Sequence, residues 1–133
     1  DIKYAASAVT VRNNIFHCGE KSWNEEVVSV SGYANRIENN QFSGSNPQLT
    51  RYIRVFHKKT DGPVRVDYKG RSGIPSPTGL DNIIVNNRFY TDDPSITVVD
   101  NDLKGAGRAT LTLANNPVLP LAEWNNQADS HPD

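Results

Sequence analysis

Apolar residues in this chain fall in short β-branched runs rather than helical stripes. The runs are "SAVTV" (7–11), "EVVSVSG" (26–32), "YIRVF" (52–56), "VRVDY" (64–68), "DNIIV" (81–85) and "ITVVD" (96–100). Each is bounded by Gly, Asn or Asp, the pattern of short strands between turns. One stretch alone has helical character, "LAEWNNQA" (121–128). Between the runs a phrase recurs: "NNIF" (13–16), "NNQF" (39–42), "NNRF" (86–89) and a worn "NNPV" (115–118). Its copies are 26, 47 and 29 residues apart. The middle gap is close to twice 23, so a further copy that has lost its Asn pair is expected near residues 60–66.

A period of this size signals a solenoid. The strand-like runs exclude helical repeats, and no regular leucine spacing or forty-residue blade is present. The pattern predicts an all-β fold, a right-handed parallel β-helix of about four to five turns. Asn suits its bends because it tolerates the left-handed αL conformation. Stacked Asn side chains also hydrogen-bond from turn to turn. Side chains alternate along a strand, so Phe16, Phe42, Phe89 and, on the worn copy, Val118 should form an internal stack. Ile15, Gln41, Arg88 and Pro117 should then face outward. The competing expectation is an antiparallel sandwich in which "NNxF" is hairpin chemistry.

The 133 residues form one domain, 1–133, with 119–133 as a C-terminal cap or tail. The Pro-rich "NPVLPLAEW" (116–124) would close that end, since Pro cannot donate to a further strand. Four or five turns otherwise leave open parallel edges. Either the chain is a piece of a longer coil, or its ends pair with other subunits, as in a homo-oligomer.

Net charge is −1 and the isoelectric point near 6.3, which argues against sequence-independent nucleic-acid binding. No run approaches the ~20 apolar residues of a membrane span. A single cysteine, Cys18, excludes an internal disulfide and a cysteine zinc cluster. Basic residues gather in 51–71: Arg51, Arg54, Lys58, Lys59, Arg65, Lys69 and Arg71. Such a run is usually a solvated face, although it could meet an acidic polymer. "DND" (100–102) reads as a plain turn, because Lys104 stands where a calcium loop needs oxygen. Tyr33, Tyr52, Tyr68, Tyr90, Trp23 and Trp124 fill cores more often than they stack on sugars.

The stretch "NNIFHCGEKSWNEEVVSVSGYANRIENNQF" (13–42) resembles polysaccharide lyase family 6, the group of alginate lyases and chondroitinase B. Asn14, Phe16, Cys18, Gly19 and Glu20 match its first turn. Glu26-Val27-Val28-Ser29 match its Glu-led strand, and Asn35, Asn39, Asn40 and Phe42 match the Asn-rich turn after that strand. "GPVRVDYKG" (62–70) is similar to a later strand, and the likeness spans roughly 9–90. It implies a β-helix acting on an acidic polysaccharide by β-elimination, in an extracellular or periplasmic setting. It also implies Ca²⁺ on the sugar carboxylate, with Asn24 and Glu26 falling on ligand positions. The third ligand would come from a turn before residue 1.

The catalytic pair departs from the family. Its Lys position reads Ser31 and its Arg position reads Phe56, with His57 kept. Lys58, Arg54 and His57 remain as substitute catalytic candidates, and Lys58, Lys59, Arg65 and Lys69 as substrate-binding candidates. Three functions fit: a module that binds or processes an acidic glycan, a non-catalytic structural or assembly module, and an active lyase.

Overall fold

The computed structural model describes residues 1–3, 6–21, 24–57, 79–103 and 111–124. Eleven strands fill it: β1 Thr10–Arg12, β2 Ile15–Cys18, β3 Glu26–Val30, β4 Arg36–Glu38, β5 Gln41–Gly44 and β6 Arg51–Phe56. There follow β7 Asn82–Val85, β8 Arg88–Tyr90, β9 Thr97–Asp102, β10 Leu111–Ala114 and β11 Val118–Leu119. All pairing is parallel, and each strand pairs with the one three places on. The sheets run β1-β4-β7-β10, β2-β5-β8-β11 and β3-β6-β9. An isolated parallel bridge from Ile2 to Val30 extends the third sheet by one position. The fold is all-β and parallel; an antiparallel sandwich is excluded for these strands. The helical stretch contributes one described turn, residues 121–124.

We count rungs in chain order: β1–β3, β4–β6, β7–β9 and β10–β11. The extra copy expected near 60–66 lies outside the described residues. Arg36 pairs directly with Ile83, Phe42 with Phe89 and Arg51 with Thr97, so no strand lies between the second and third rungs. The doubled gap therefore falls between two rungs that are adjacent in the stack. The "VRVDY" strand expected at 64–68 lies outside the described residues. "DND" is also corrected: residues 100–102 are the end of β9, not a turn.

The two Asn of each pair divide the work. Asn13, Asn39, Asn86 and Asn115 all have φ between 55° and 59°, the αL bend that Asn bears at low cost. The second Asn of each pair forms a ladder. Asn14 N–H donates to Asn40 Oδ1 (3.0 Å), Asn40 N–H to Asn87 Oδ1 (3.0 Å) and Asn87 N–H to Asn116 Oδ1 (3.1 Å). Each inner Nδ2 also reaches back to a carbonyl of the rung before: Asn40 to Val11, Asn87 to Ile37 and Asn116 to Ile84. Every copy thus satisfies backbone groups that the sharp bend withdraws from the sheets.

Two residues on, Phe16 stacks on Phe42 and Phe42 on Phe89, each with centroids 4.9 Å apart. Val118 continues the column beside Phe89. Tyr52, from the third sheet, tilts against Phe42 and Phe89 and donates its hydroxyl to Gly44 O (2.7 Å). Ile37, Ile84, Val30, Ile53 and Val55 complete a core closed from three sides. Gly44 must be glycine: its φ is +85° and a Cβ would lie 2.2 Å from Cys18 O. Cys18 is a small buried core residue whose Sγ accepts from Asn46 Nδ2 (2.9 Å).

A second bend, before the first sheet, is built the same way without a repeated phrase. Ala8, Ala34 and Asp81 have φ of 53–58°. The next residues form another ladder: Val9 N–H donates to Asn35 Oδ1 (2.9 Å) and Asn35 N–H to Asn82 Oδ1 (3.0 Å).

Candidate functional site

The expected metal residues sit at the start of β3. Asn24 is exposed and Glu26 half-buried, and both line a depression of about 470 Å³ with Asp1, Glu25, Val27 and Ser29. Glu26 is not open to a cation. Its Oε2 accepts from Arg51 Nη2 (2.9 Å) and Nε (3.2 Å), in the register Glu26↔Arg51. Arg51 also reaches Glu25 and Asp100, each at 3.4 Å. Among the described residues no group of three His, Cys, Asp or Glu is placed to hold a metal. Calcium would have to displace a guanidinium that is itself only 18% exposed, so these residues do not fit the ion as arranged.

The catalytic candidates are likewise occupied or outside the described residues. Arg54 lies over the Phe56 ring (4.2 Å to the centroid), as their shared strand face requires, and its Nη2 donates to Asp102 (2.9 Å). His57 is half-buried just past β6. Ser31, at the family's Lys position, is 3% exposed, so its hydroxyl is in no position to take a proton from a polymer. Lys58, Lys59, Arg65 and Lys69 lie outside the described residues. The described basic residues of the stretch, Arg51 and Arg54, are matched by Glu26, Asp100 and Asp102 and present no unbalanced cationic face.

A different feature is better formed. Outside the Asn corner runs an open groove of about 420 Å³ lined by Asn39, Asn40, Gln41, Asn86, Arg88, Asn115 and Pro117. The residues come from equivalent positions on successive rungs, Gln41 lying beside Arg88 in register. The αL bend turns Asn39, Asn86 and Asn115 outward, toward the groove. Asn115 Nδ2 donates to Asn86 Oδ1 (2.8 Å), so adjacent amides share one orientation. Arg88 is exposed in the groove and forms no ion pair among the described residues. The wall is therefore a row of exposed amides around a cation that has no ion-pair partner among the described residues. The sequence pattern placed Gln41 and Arg88 outward but gave them no role. The visible signal was the variable third letter of the phrase: Ile, Gln, Arg, Pro.

Aromatic side chains divide between core and surface. Tyr52 and Tyr90 are fully buried. Burial raises the Tyr52 phenol above its ordinary value, against a smaller lowering by the Thr91 hydroxyl. Trp124, from the single helical turn, lies outside the second sheet, parallel to His17 (6.1 Å) and tilted on Tyr90 (5.4 Å). Below it His17 Nδ1 and Ser43 Oγ are hydrogen-bonded at 2.8 Å, with Ser43 fully buried. Residues 120–124 thus leave the strand sequence and lie on the flank of the sheet rather than across its end. Among the described residues no helix is long and apolar enough to cross a membrane. Comparison with family models, curated proteins and solved structures finds no match to this chain.

Proposed function

We propose that the chain is a right-handed parallel β-helix module that binds an acidic polysaccharide along its asparagine corner, without catalysing its cleavage. The coil is supported by the cyclic pairing of every strand with the third one on, which one continuous winding satisfies. Its hand follows from the strong right-handed preference of parallel crossovers.

The groove around Arg88 carries the binding reading. Sugar hydroxyls both donate and accept, and so do the Asn39, Asn86 and Asn115 amides that face them. A uronate carboxylate supplies the partner that Arg88 lacks among the described residues, and guanidinium can hold it by two parallel hydrogen bonds. The volume lies within the usual range of small-ligand sites, and its open ends suit a chain rather than a monosaccharide. Recognition here needs no metal, in contrast to the calcium-assisted chemistry that the lyase resemblance implies. Buried Ser31 and the Phe56–Arg54 stack support a non-catalytic role.

Oligosaccharides of alginate, polygalacturonate and chondroitin sulfate, titrated calorimetrically with and without EDTA, test the reading. Binding to at least one should survive EDTA and fall at least about tenfold in Arg88→Ala, a loss of about 1.4 kcal/mol. Absorbance of unsaturated product should stay flat. No binding to any of the three, or binding unchanged in Arg88→Ala, would overturn it. The alternative, an assembly module, is favoured by one observation: the apolar Leu113 and Val118 are exposed at one end of the sheets.

A further inference from the structure

The two ends of the strand stack are complementary to each other, and we infer that they bind head to tail, the partner being a second copy of this chain. The inference rests on the strand pairing and is independent of the glycan reading.

The ladder has a direction. In each pair the backbone N–H of the earlier Asn donates to Oδ1 of the later one, from Asn14 through Asn40 and Asn87 to Asn116. On the first rung, Asn14 Oδ1 stands where an earlier N–H would donate. On the last, the Asn116 N–H stands where a later Oδ1 would accept. The side-chain amides agree. Asn40, Asn87 and Asn116 send Nδ2 to Val11, Ile37 and Ile84 of the rung before, whereas Asn14 turns its Nδ2 onto its own Arg12 O (2.9 Å). The equivalent carbonyl on the last rung is Leu113. A copy placed beyond that rung lets its Asn14 release Arg12 and take Leu113 O, while its Oδ1 accepts from Asn116.

The ends also fit in outline. With Ile2 included, every sheet has four strand positions, but the third sheet stands one level lower than the other two. Ile2 projects from the third sheet beneath β3, while β10 and β11 project from the first and second sheets above β7 and β8. Pro120 and the helical turn carry the chain onto the flank of the second sheet, so residues 120–124 do not occupy the third-sheet position above β9. The Ile2 segment of the next copy fits that step, with its β1 on β10 and its β2 on β11.

Apolar columns meet as well. Val118, 54% exposed, faces the next copy's Phe16, and Leu113, 47% exposed, faces its Val11. Both exposed residues continue columns that are fully buried one rung earlier, at Phe89 and Ile84. The contact is heterologous, with unlike ends meeting, so it propagates into rods rather than closing as a dimer.

Sedimentation or light scattering of the 133-residue chain over a concentration series should show average mass rising without a plateau at two copies. Val118→Lys blocks one end, and Val9→Lys, at the exposed first-rung position beside Asn35 in the second ladder, blocks the other. Each alone should weaken self-association at least about tenfold, and an equimolar mixture should recover a species of two copies through the two intact ends. Far-UV circular dichroism checks that both variants fold, with Leu113→Lys replacing Val118→Lys if that variant does not. A constant one-copy mass at all concentrations would overturn the inference. So would dimers of Val118→Lys alone as tight as the parent's self-association, which would mean like ends pairing, or a mixture that associates no more tightly than either variant alone. Glycan binding is measured separately on the single variants, so its loss and the loss of stacking are read independently.

Discussion

The asparagine corner and the third sheet solve the same stacking problem with opposite chemistry. At the corner, the Asn pair and the inward Phe position repeat on successive rungs, Asn on Asn and Phe on Phe, while the outward position between them varies. On the third sheet the inward column is alike (Val28, Ile53 and Val99), but the outward charged positions are unlike and opposite charges pair: Glu26 with Arg51 in register, and Arg51 with Asp100 and Arg54 with Asp102 on the diagonal. Like stacking succeeds at the corner because an amide is both donor and acceptor, so a column of identical groups satisfies itself. A column of identical charges would repel, and alternation is the remedy. The corner's repetition thus leaves Arg88 in a polar row with no ion-pair partner among the described residues, whereas the third sheet neutralises its own.

Substitution inside the corner should cost most. Phe42→Ala removes the central ring from a stack fully enclosed on both sides, and a loss of about 3–5 kcal/mol is expected, read as a lower midpoint in urea unfolding. Asn87→Ala should cost about 3 kcal/mol. It strands the Asn40 N–H and the Ile37 carbonyl in a fully buried site, each worth about 1–3 kcal/mol when unsatisfied. Asn86→Ala, one residue earlier, keeps the ladder and should cost no more than about 1–2 kcal/mol, the αL penalty of a side chain without Asn's local hydrogen bonding. If Asn86 proves the costlier of the two, the division of labour within the pair is wrong.

The corner was legible because its message is repeated. Four copies of one phrase disclose the period, the bend and the inward Phe column from sequence alone. Its partner bend was not legible, because Ala8, Ala34 and Asp81 include no Asn or Gly that would mark an αL turn, and only two of the three following positions are Asn. The third sheet was least legible. Its ion pairs join residues 25, 48 and 49 apart, and only the stacking of rungs brings them together. The basic run 51–71 therefore read as a solvated face or, alternatively, a surface for an acidic polymer, whereas its described arginines are paired with carboxylates. The extra rung expected near residues 60–66 lies outside the described residues, and the second and third rungs pair directly with no strand between them. Spacing counts residues, and a long connection between rungs reads the same as a lost repeat.

Charge variants on the third sheet should be milder than those at the corner. Arg51→Met, which retains much of the packing, leaves Glu26 and Asp100 without their shared counter-ion. An expected loss of about 1–2 kcal/mol by denaturant titration follows from its partial burial, while breaking the more exposed Arg54–Asp102 pair should cost under about 1 kcal/mol. Raising salt should narrow the first difference little and the second more. By contrast, Arg88→Ala should leave the unfolding midpoint within about 0.5 kcal/mol of the parent, as for an exposed side chain outside any network, and change glycan binding alone.

The smallest effect expected is on pH dependence, and it too separates the two regions. Tyr52 joins them, packing from the third sheet onto Phe42 and Phe89. Its buried phenol has a raised pKa in the folded state, so its stabilising contribution is complete below the ordinary value of ~10. Above that value the unfolded chain releases the proton first, and stability declines until the folded-state pKa is passed. Tyr52→Phe removes this alkaline loss together with the hydrogen bond to Gly44 O. Its unfolding free energy should therefore be lower than the parent's at neutral pH and fall less steeply above pH ~10. The ion pairs of the third sheet cannot produce that difference, because carboxylates and guanidinium groups keep their charge across that window. A parent and variant that decline in parallel would mean that the Tyr52 phenol ionises without cost, and that the junction of sheet and corner is wetter than its burial indicates.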